Sequence, residues 1–532
     1  MNQIILVDEI GYLPNDPKRA VYRGENETEF SVISASDGRE VYHGVSGREY
    51  VTAAADEKNR ILNFDAVTEE GEYYIKAGDE VSATFSIKEW VYRDAMGAML
   101  KFFYLQRCGT ELSQEHAGIY AHPICHDTDA RIYGTDQFID VKGGWHDAGD
   151  FGRYVVPAAV TLADLFLAIE LDPGLLKFDF NIPVDNPDLG ALLSEIKYEI
   201  DWMLKMQNPE TGEVYHKVTC SGFCGFFMPE EEKEELVVSP ASYAATLDFA
   251  AALAMAVKFY EPHDKAYAEI LADASKKAFE AGLKMEAKGF HNPEGVVTGE
   301  YGDECVEDEL YWASAEMYRA FGEERYRTIF DDMAYKHISH GYGWEDVYSF
   351  GNIAYILSSY PVDETLKNII ISAIDAKADS LMYLCRSNGY NVSFNERSFI
   401  WGSNMYLIQN ASHLFTAYYF TKKEEYLEAS KEHVHYIFGK NPCNVCFLTG
   451  FGSNRVLNPH HRPSAAKGKA MPGMVIGGPD SELQDPTAEK YLQGQPAAKC
   501  YVDELLSYST NEITLYWNSA MILMLAQFVV LP

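Results

Sequence analysis

The spacing of apolar positions changes once along this chain. Up to about residue 88 they fall in short, alternating runs: Gln3–Val7, Arg19–Tyr22, Glu29–Ile33, Glu40–Tyr42, Ile61–Phe64, Glu72–Ile75 and Ala83–Ile87. Turn formers such as Pro14-Asn15-Asp16, Ser36-Asp37-Gly38 and Glu69-Glu70-Gly71 separate them. Several short strands at this spacing predict a β-sandwich. The period changes at Glu89-Trp90. Helical spacing then predicts helices over Asp94–Arg107, Ala158–Ile169, Leu192–Lys205, Ala241–Phe259, Lys265–Leu283, Asp308–Phe321, Ser349–Ser359, Glu364–Ser387, Met405–Phe420, Glu424–Phe438 and Glu512–Val529. Long loops rich in Gly, Pro and His interrupt them at 108–155, 206–240 and 440–500. Helical hairpins around a ring, an (α/α) toroid, fit this pattern, and so do a bundle and a solenoid. Loops of such length inside a compact domain are usually functional, so the chemistry is expected there.

The chain has 532 residues, of which 47% are hydrophobic and 13% aromatic, enough for a large core. Its formal net charge of −36 repels nucleic acid and anionic membrane surfaces. No apolar run of transmembrane length is present. The N-terminal residues lack a basic segment and a long apolar core. A cytoplasmic location is therefore expected, or a secreted one if a signal has been removed. Nine scattered Cys fit reduced thiols, and a metal site, better than a disulfide framework.

Three stretches carry candidate chemistry. Gly143-Gly144-Trp145-His146-Asp147-Ala148-Gly149-Asp150 sets two carboxylates three residues apart, among glycines that let the backbone approach a ligand. A calcium loop or a plain turn has a similar composition. The second stretch runs from Tyr501 through Asp503 and Tyr508 to Glu512, at the start of an apolar helix. Glu512 could serve that helix dipole, but Asn511 or Thr510 is the more natural cap, which leaves Glu512 for chemistry. The third is Gly450-Phe451-Gly452-Ser453-Asn454 followed by Asn458-Pro459-His460-His461-Arg462, able to grip hydroxyls or orient a carboxylate.

In this order the three stretches resemble glycoside hydrolase family 9. The Gly-Gly-Trp-His-Asp-Ala-Gly-Asp run looks like the family's base-bearing loop. Tyr501, Asp503, Tyr508, Glu512, Thr514, Asn518 and Ser519 match its acid signature, and His460 and Arg462 its histidine signature. Ile10-Gly11-Tyr12-Leu13-Pro14 is similar to the immunoglobulin-like module that precedes one branch of the family. The resemblance implies an Ig-like β-sandwich over 1–88 and an (α/α)6 barrel over 89–532. It implies that Asp150 is the general base, that Asp147 helps hold the water, and that Glu512 is the general acid. His460 and Arg462 would bind sugar hydroxyls, Trp401 would stack on a glucose ring, and Asp503 and Tyr508, at the substrate site, would support the acid loop. An inverting hydrolase needs an acid and a base about 6.5–9.5 Å apart, with room for water between them.

Cys108, Cys125, His126 and His146 have the chemistry of a tetrahedral zinc site, at a spacing wider than a zinc finger's. The family's Ig-bearing branch has a zinc site in this order, which implies structural Zn²⁺ here. Cys220/Cys224 and Cys443/Cys446 lack a nearby His and read as structural thiols. Carboxylates crowd Tyr301–Glu309, and hard oxygen ligands suit calcium. The family's Asp-Glu calcium pair resembles Asp308-Glu309, with Glu304 and Glu345 as further ligands.

The expected activity is inverting hydrolysis of β-1,4-glucosidic bonds. Soluble glucans or cello-oligosaccharides are the expected substrates, because no carbohydrate-binding module or dockerin-like repeat is seen. Two rivals stand beside it. One is an exo-β-glucosaminidase or other exo-acting β-glycosidase on short oligosaccharides. The other is a non-catalytic glycan-binding protein, which the joint presence of Asp147, Asp150 and Glu512 opposes.

Overall fold

The N-terminal strands send successive side chains to opposite faces, and burial alternates accordingly along Gly71–Ala77. In the computed structural model, which describes residues 3–528, these strands form two sheets. One has the order Ile5–Leu6, Arg19–Arg23, Glu57–Asn63, Glu49–Thr52. The other has the order Gly11–Tyr12, Phe85–Ile87, Gly71–Ala77, Glu29–Ser34, Glu40–Val45, with Glu80–Val81 paired to Gly71–Ala77. Pairing is antiparallel except between Phe85–Ile87 and Gly11–Tyr12. Tyr12, Phe30, Val32, Leu62, Phe64, Tyr73, Ile75 and Phe85 fill the space between the sheets. Burying each such side chain favours folding by about 1.5–3 kcal/mol.

The chain divides into two compact units. The first joins Met1–Phe102 to Asp375–Pro532, so the sandwich shares a unit with the C-terminal helices. Arg19 bridges to Glu428 and Glu432 on the helix Glu424–Ile437, and Lys431 pairs with Asp16. Asp8 accepts hydrogen bonds from His435 Nδ1 at 2.8 Å and Tyr92 Oη at 3.0 Å. Glu9 reaches the loop before the histidine stretch. Its Oε2 accepts from Ser453 N, Ser453 Oγ and Asn454 N at 2.6, 2.9 and 2.8 Å.

The second unit, Phe103–Ile374, is built on helices whose ends are written in the sequence. Ser242 caps Tyr243–Tyr260 by accepting from Ala245 N, and Asp264 caps Lys265–Gly282 through Tyr267 N. Tyr243–Tyr260 is Ala-rich and buried on nearly every side, as a central helix should be. Gly322, at φ 67°, stops Glu307–Phe321 in the left-handed conformation that glycine tolerates.

Two features depart from the pattern. The stretch after residue 94 is not purely helical. Phe138–Ile139, Ala130–Ile132, Val237–Val238, Lys217–Thr219 and Arg153–Tyr154 form a five-stranded sheet out of two of the long loops. Each strand has two or three residues, too few to show an alternation. The helix Glu324–Ala334 was also not expected, because it buries only Tyr326, Phe330 and Ala334 and is polar elsewhere.

Candidate active site

The base-bearing loop lies within the second unit and is fixed from several sides. Gly144 takes φ 78°, and a Cβ there would come within 2.7 Å of the Trp202 ring, so only glycine fits. Its carbonyl accepts from Cys108 N at 2.7 Å. Trp145 N donates to Glu199 Oε2 at 2.6 Å, and Trp145 Nε1 to Glu195 Oε1 at 2.9 Å. Glu195 and Glu199 sit one helical turn apart on Gly190–Lys205, which places both carboxylates on one face. Arg153, buried, donates to the carbonyls of Val141 and Gly143. Asp147 N closes the turn on Gly152 O at 2.9 Å.

Each aspartate is held through one oxygen. Asp150 Oδ2 accepts from Gly152 N at 3.1 Å and from Tyr154 Oη at 3.2 Å. Asp147 Oδ2 accepts from Tyr301 Oη, while its Oδ1 is buried with no protein partner. Burial pushes the Asp147 carboxyl well above the usual aspartate range; the Tyr301 hydrogen bond opposes this and the neighbouring Asp150 adds to it. Tyr301 takes φ 48°, a costly conformation for a bulky residue and one that tends to mark functional positions. The segment before it is tied down by Lys217, whose Nζ donates to Asn292 Oδ1, Gly299 O and Thr298 Oγ1 at 2.5, 2.6 and 3.0 Å. Tyr154, Tyr301 and Lys217 did not emerge from the sequence. Only Tyr154 left a trace there, four residues after Asp150.

The acid stretch and the histidine stretch lie together in the first unit. Glu512 does not open a helix. The last helix is Leu515–Ala526, capped by Thr514 rather than by Asn511 or Thr510, and Glu512 is extended at φ −81° and ψ 169° after the turn Tyr508–Asn511. It pairs as a parallel bridge with His460. His460 N donates to Asn511 O at 2.8 Å, and Gly477 N to Glu512 O at 2.9 Å. His460 Nδ1 lies 2.7 Å from Leu505 O, a carbonyl that can only accept, so Nδ1 carries a proton. Trp401 is 39% exposed, its ring 5.4 Å from that of Tyr508, and Tyr508 is 5.9 Å from His460. The three rings form a row that is exposed at Trp401. Arg462 is buried at the start of the helix Arg462–Lys467.

Asp503 joins the two stretches. Its Oδ2 accepts from Leu457 N and its Oδ1 from Asn458 N, both at 2.8 Å, and Oδ1 also accepts from Asn511 Nδ2 at 3.1 Å. Both oxygens are spent on joining the histidine loop to the acid turn. Asp503 therefore ties these loops together, in line with the support of the acid loop that the resemblance implies.

Cys108, Cys125, His126 and His146 come together, with ligand atoms all within 4.8 Å of one another and all four residues buried. His126 Nδ1 and His146 Nε2 are buried without a protein partner, the state expected of atoms that meet a metal. His126 Nε2 is held 2.8 Å from Glu232 Oε2, a carboxylate behind the imidazole such as zinc ligands commonly have. Burial alone would raise the Cys108 thiol, but the Cys125 hydrogen bond and the charges of Arg153, His146 and His126 bring it well below the usual range, towards thiolate. The set fits a four-coordinate, closed zinc site.

The second acidic group differs from the expected one. The structure brings together Asp303, Asp308 and Glu309, with ligand atoms within 4.8 Å of one another. Glu304 and Glu345 are exposed and lie outside this group, in which Asp303 stands instead. Asp303 Oδ2, Asp308 Oδ1 and Glu309 Oε2 are buried and unpartnered. A fourth buried carboxylate, Asp248, has neither oxygen bonded and feels the charges of Asp308 and Asp303. Burial pushes Asp308 up to about 7. Crowded, unsatisfied carboxylates of this kind fit a hard divalent cation.

The family model for glycosyl hydrolase family 9 matches residues 92–525, and that for the cellulase N-terminal Ig-like domain matches 2–82. The chain belongs to glycosyl hydrolase family 9. It is therefore a glycoside hydrolase with an N-terminal Ig-like β-sandwich followed by the family's (α/α)6 barrel. A cellodextrinase of Butyrivibrio fibrisolvens is 36% identical over 545 residues, covering 98% of this chain and 99% of the relative. The structure of AaCel9A in complex with cellobiose-like isofagomine superposes with a TM-score of 0.94 at 36% identity, covering 99% of this chain and 100% of that one. A Zn-binding triple mutant of the family 9 endoglucanase J30 gives a TM-score of 0.93 at 32% identity, over 97% and 99% of the two chains.

Proposed function

We propose that this family 9 enzyme hydrolyses β-1,4-glucosidic bonds in soluble glucans or cello-oligosaccharides, with inversion at the anomeric carbon. The observation that carries the reading is the way Asp147 and Asp150 are held. Each carboxylate is anchored through Oδ2, by Tyr301 and by Tyr154 with Gly152 respectively. That leaves the Oδ1 atoms to take up a water. Asp150 removes a proton from this water as its oxygen bonds to C1. The glycosidic C1–O bond breaks, and Glu512 gives its proton to the departing oxygen. Attack on the face opposite the leaving group makes the α-anomer from a β-linked substrate. His460 Nε2 and the Trp401–Tyr508 row bind sugar next to the acid. The similarity to a cellodextrinase supports short, soluble chains as substrates.

In the same reading residues 1–88 form the Ig-like domain and 89–532 the catalytic one. Cys108, Cys125, His126 Nδ1 and His146 Nε2 would hold Zn²⁺, and Asp303, Asp308 and Glu309 would hold Ca²⁺. Zinc there supplies a cross-link between the end of the first long helix and the base loop. The protein's own part is orientation, since His146 immediately precedes Asp147.

The test is direct. Asp150→Ala and Glu512→Gln should each lower kcat on cello-oligosaccharides by roughly 10²–10⁴-fold without loss of folding, and proton NMR of fresh wild-type product should show the α-anomer first. A β-anomer, or wild-type rates in either variant, would overturn the mechanism.

A further inference from the structure

Asp485 lies outside all three signature stretches, yet it is buried and fully engaged. It caps the short helix Pro486–Leu492, with Oδ1 accepting from Thr487 N at 2.8 Å and Ala488 N at 2.7 Å. Its other oxygen turns to the acid stretch. Oδ2 accepts from Ser507 Oγ at 2.9 Å, Ser509 N at 3.0 Å and Ser509 Oγ at 2.8 Å. Ser507 and Ser509 are completely buried, and Ser507 Oγ also meets Thr510 Oγ1 at 2.7 Å. These residues enter and begin the turn Tyr508–Asn511, after which Glu512 follows at once. The far side of the turn is fixed separately, by Gly478 N on Thr510 O at 3.0 Å and Gly477 N on Glu512 O at 2.9 Å.

We propose that Asp485 is a positioning residue for the general acid: one carboxylate oxygen grips the serines of the turn that leads into Glu512, and so sets where the Glu512 carboxyl meets the leaving oxygen. The proposal rests on the reading of Glu512 as the acid. Two arguments favour this function over simple helix capping. A cap needs one acceptor oxygen, and Oδ1 already supplies it. Three donors on the second oxygen fix the entry of a turn of only four residues, whose far end is held separately through Thr510, Asn511 and Glu512. A shift of about 1 Å in a catalytic group can cost on the order of 10²-fold in rate. The carboxylate form suits the task. Burial opposes it, but the backbone and serine hydrogen bonds outweigh burial and hold Asp485 below the usual aspartate range.

The test compares leaving groups. A sugar alkoxide cannot depart without the proton from Glu512, whereas 2,4-dinitrophenolate leaves as the anion and needs none. Asp485→Ala, Asp485→Asn and Ser509→Ala would be assayed as full-length enzyme on cellotetraose and on 2,4-dinitrophenyl β-cellobioside, with Glu512→Gln as reference. On cellotetraose the expected fall in kcat is about 30–100-fold for Asp485→Ala and about 5–10-fold for Asp485→Asn and Ser509→Ala, with KM changed less than about threefold. On the activated glycoside each variant should stay within about threefold of wild type. Equal losses on both substrates, or no loss on cellotetraose, would overturn the proposal. If Glu512→Gln itself lost equally on both substrates, the assignment of the acid would have failed, whatever Asp485 does.

Discussion

Lys217 offers a perturbation whose size and sign both follow from its surroundings. It is fully buried, and the atoms that accept from it are neutral: an amide oxygen, a hydroxyl and two backbone carbonyls. Burial pushes its pKa down to about 8, with the charges of Asp150 and Glu300 acting the other way. Because the folded value lies below the unfolded 10.5, the unfolded chain holds the proton more tightly between about pH 8 and 10.5. Keeping the buried ammonium therefore costs stability below pH 8, and the cost disappears as the pH rises through that window. At about 1.4 kcal/mol per pH unit the whole effect is about 3 kcal/mol. Lys217→Met removes the titration and adds a pH-independent loss, because Asn292 Oδ1 and Gly299 O are left without their donor. The measurement is the difference in Tm between wild type and variant at pH 7 and at pH 10. Other titrating groups are common to both chains and cancel. At about 2–4 °C per kcal/mol for domains of this order, the wild-type advantage should widen by about 5 °C or more on going to pH 10. A gap that stays constant across the window would refute the account of Lys217 as a buried, strained cation. The same variant should lose kcat at pH 7, because Lys217 fastens the segment that leads to Tyr301.

Three further outcomes are expected. Asp503→Asn should lower kcat/KM on cello-oligosaccharides about tenfold by turning an amide against the N–H of Leu457 or Asn458, at about 1–3 kcal/mol; faster amide exchange over 457–462 should accompany it, and unchanged exchange would restore a direct role in sugar binding. Elemental analysis of protein purified without chelator should find about one zinc per chain, with the content lost in Cys125→Ser; an unaltered content in that variant would remove the site. Asp303→Asn should abolish the rise in Tm produced by added Ca²⁺ while Glu304→Gln retains it, and the opposite ranking would return Glu304 to the site.

The sequence foretold this molecule unevenly, for physical reasons. Long helices such as Glu364–Ser387 appear with their observed bounds, because periodicity over many turns is unambiguous. The sandwich strands were legible through their turns, but Glu49–Thr52 was missed because its apolar Val51 faces outward. The four residues proposed for zinc are rare types whose wide spacing says little alone, and it was the family resemblance that grouped them. The acidic cluster was only half legible, because an acidic run does not say which of two adjacent carboxylates turns inward, and here it is Asp303 rather than Glu304. Tyr154, Tyr301, Lys217 and Asp485 were invisible as site residues because their roles come from hydrogen bonds formed only on folding. Asp485-Pro486 did carry a local signal, a cap followed by proline at the first helical position, but that signal accounts for only one of its two oxygens.

The holding of the carboxylates follows one logic through both units. A buried acid fixed by Arg or Lys would be pinned as an anion by a charge that competes with any reacting group. Here Asp150, Asp147 and Asp485 are held instead by phenols, hydroxyls and backbone N–H groups. Neutral donors fix direction while adding no counter-charge, and they occupy only the lone pairs they need. Full ion pairs are used elsewhere, where no proton has to move: Arg107 on Glu195 behind the base loop, and Arg19 on Glu432 beneath the sandwich. The same division explains why Asp147 keeps one buried oxygen without a protein partner. Leaving such an atom unsatisfied costs about 1–3 kcal/mol in an ordinary core, and in the proposed mechanism it is this oxygen that takes up the water.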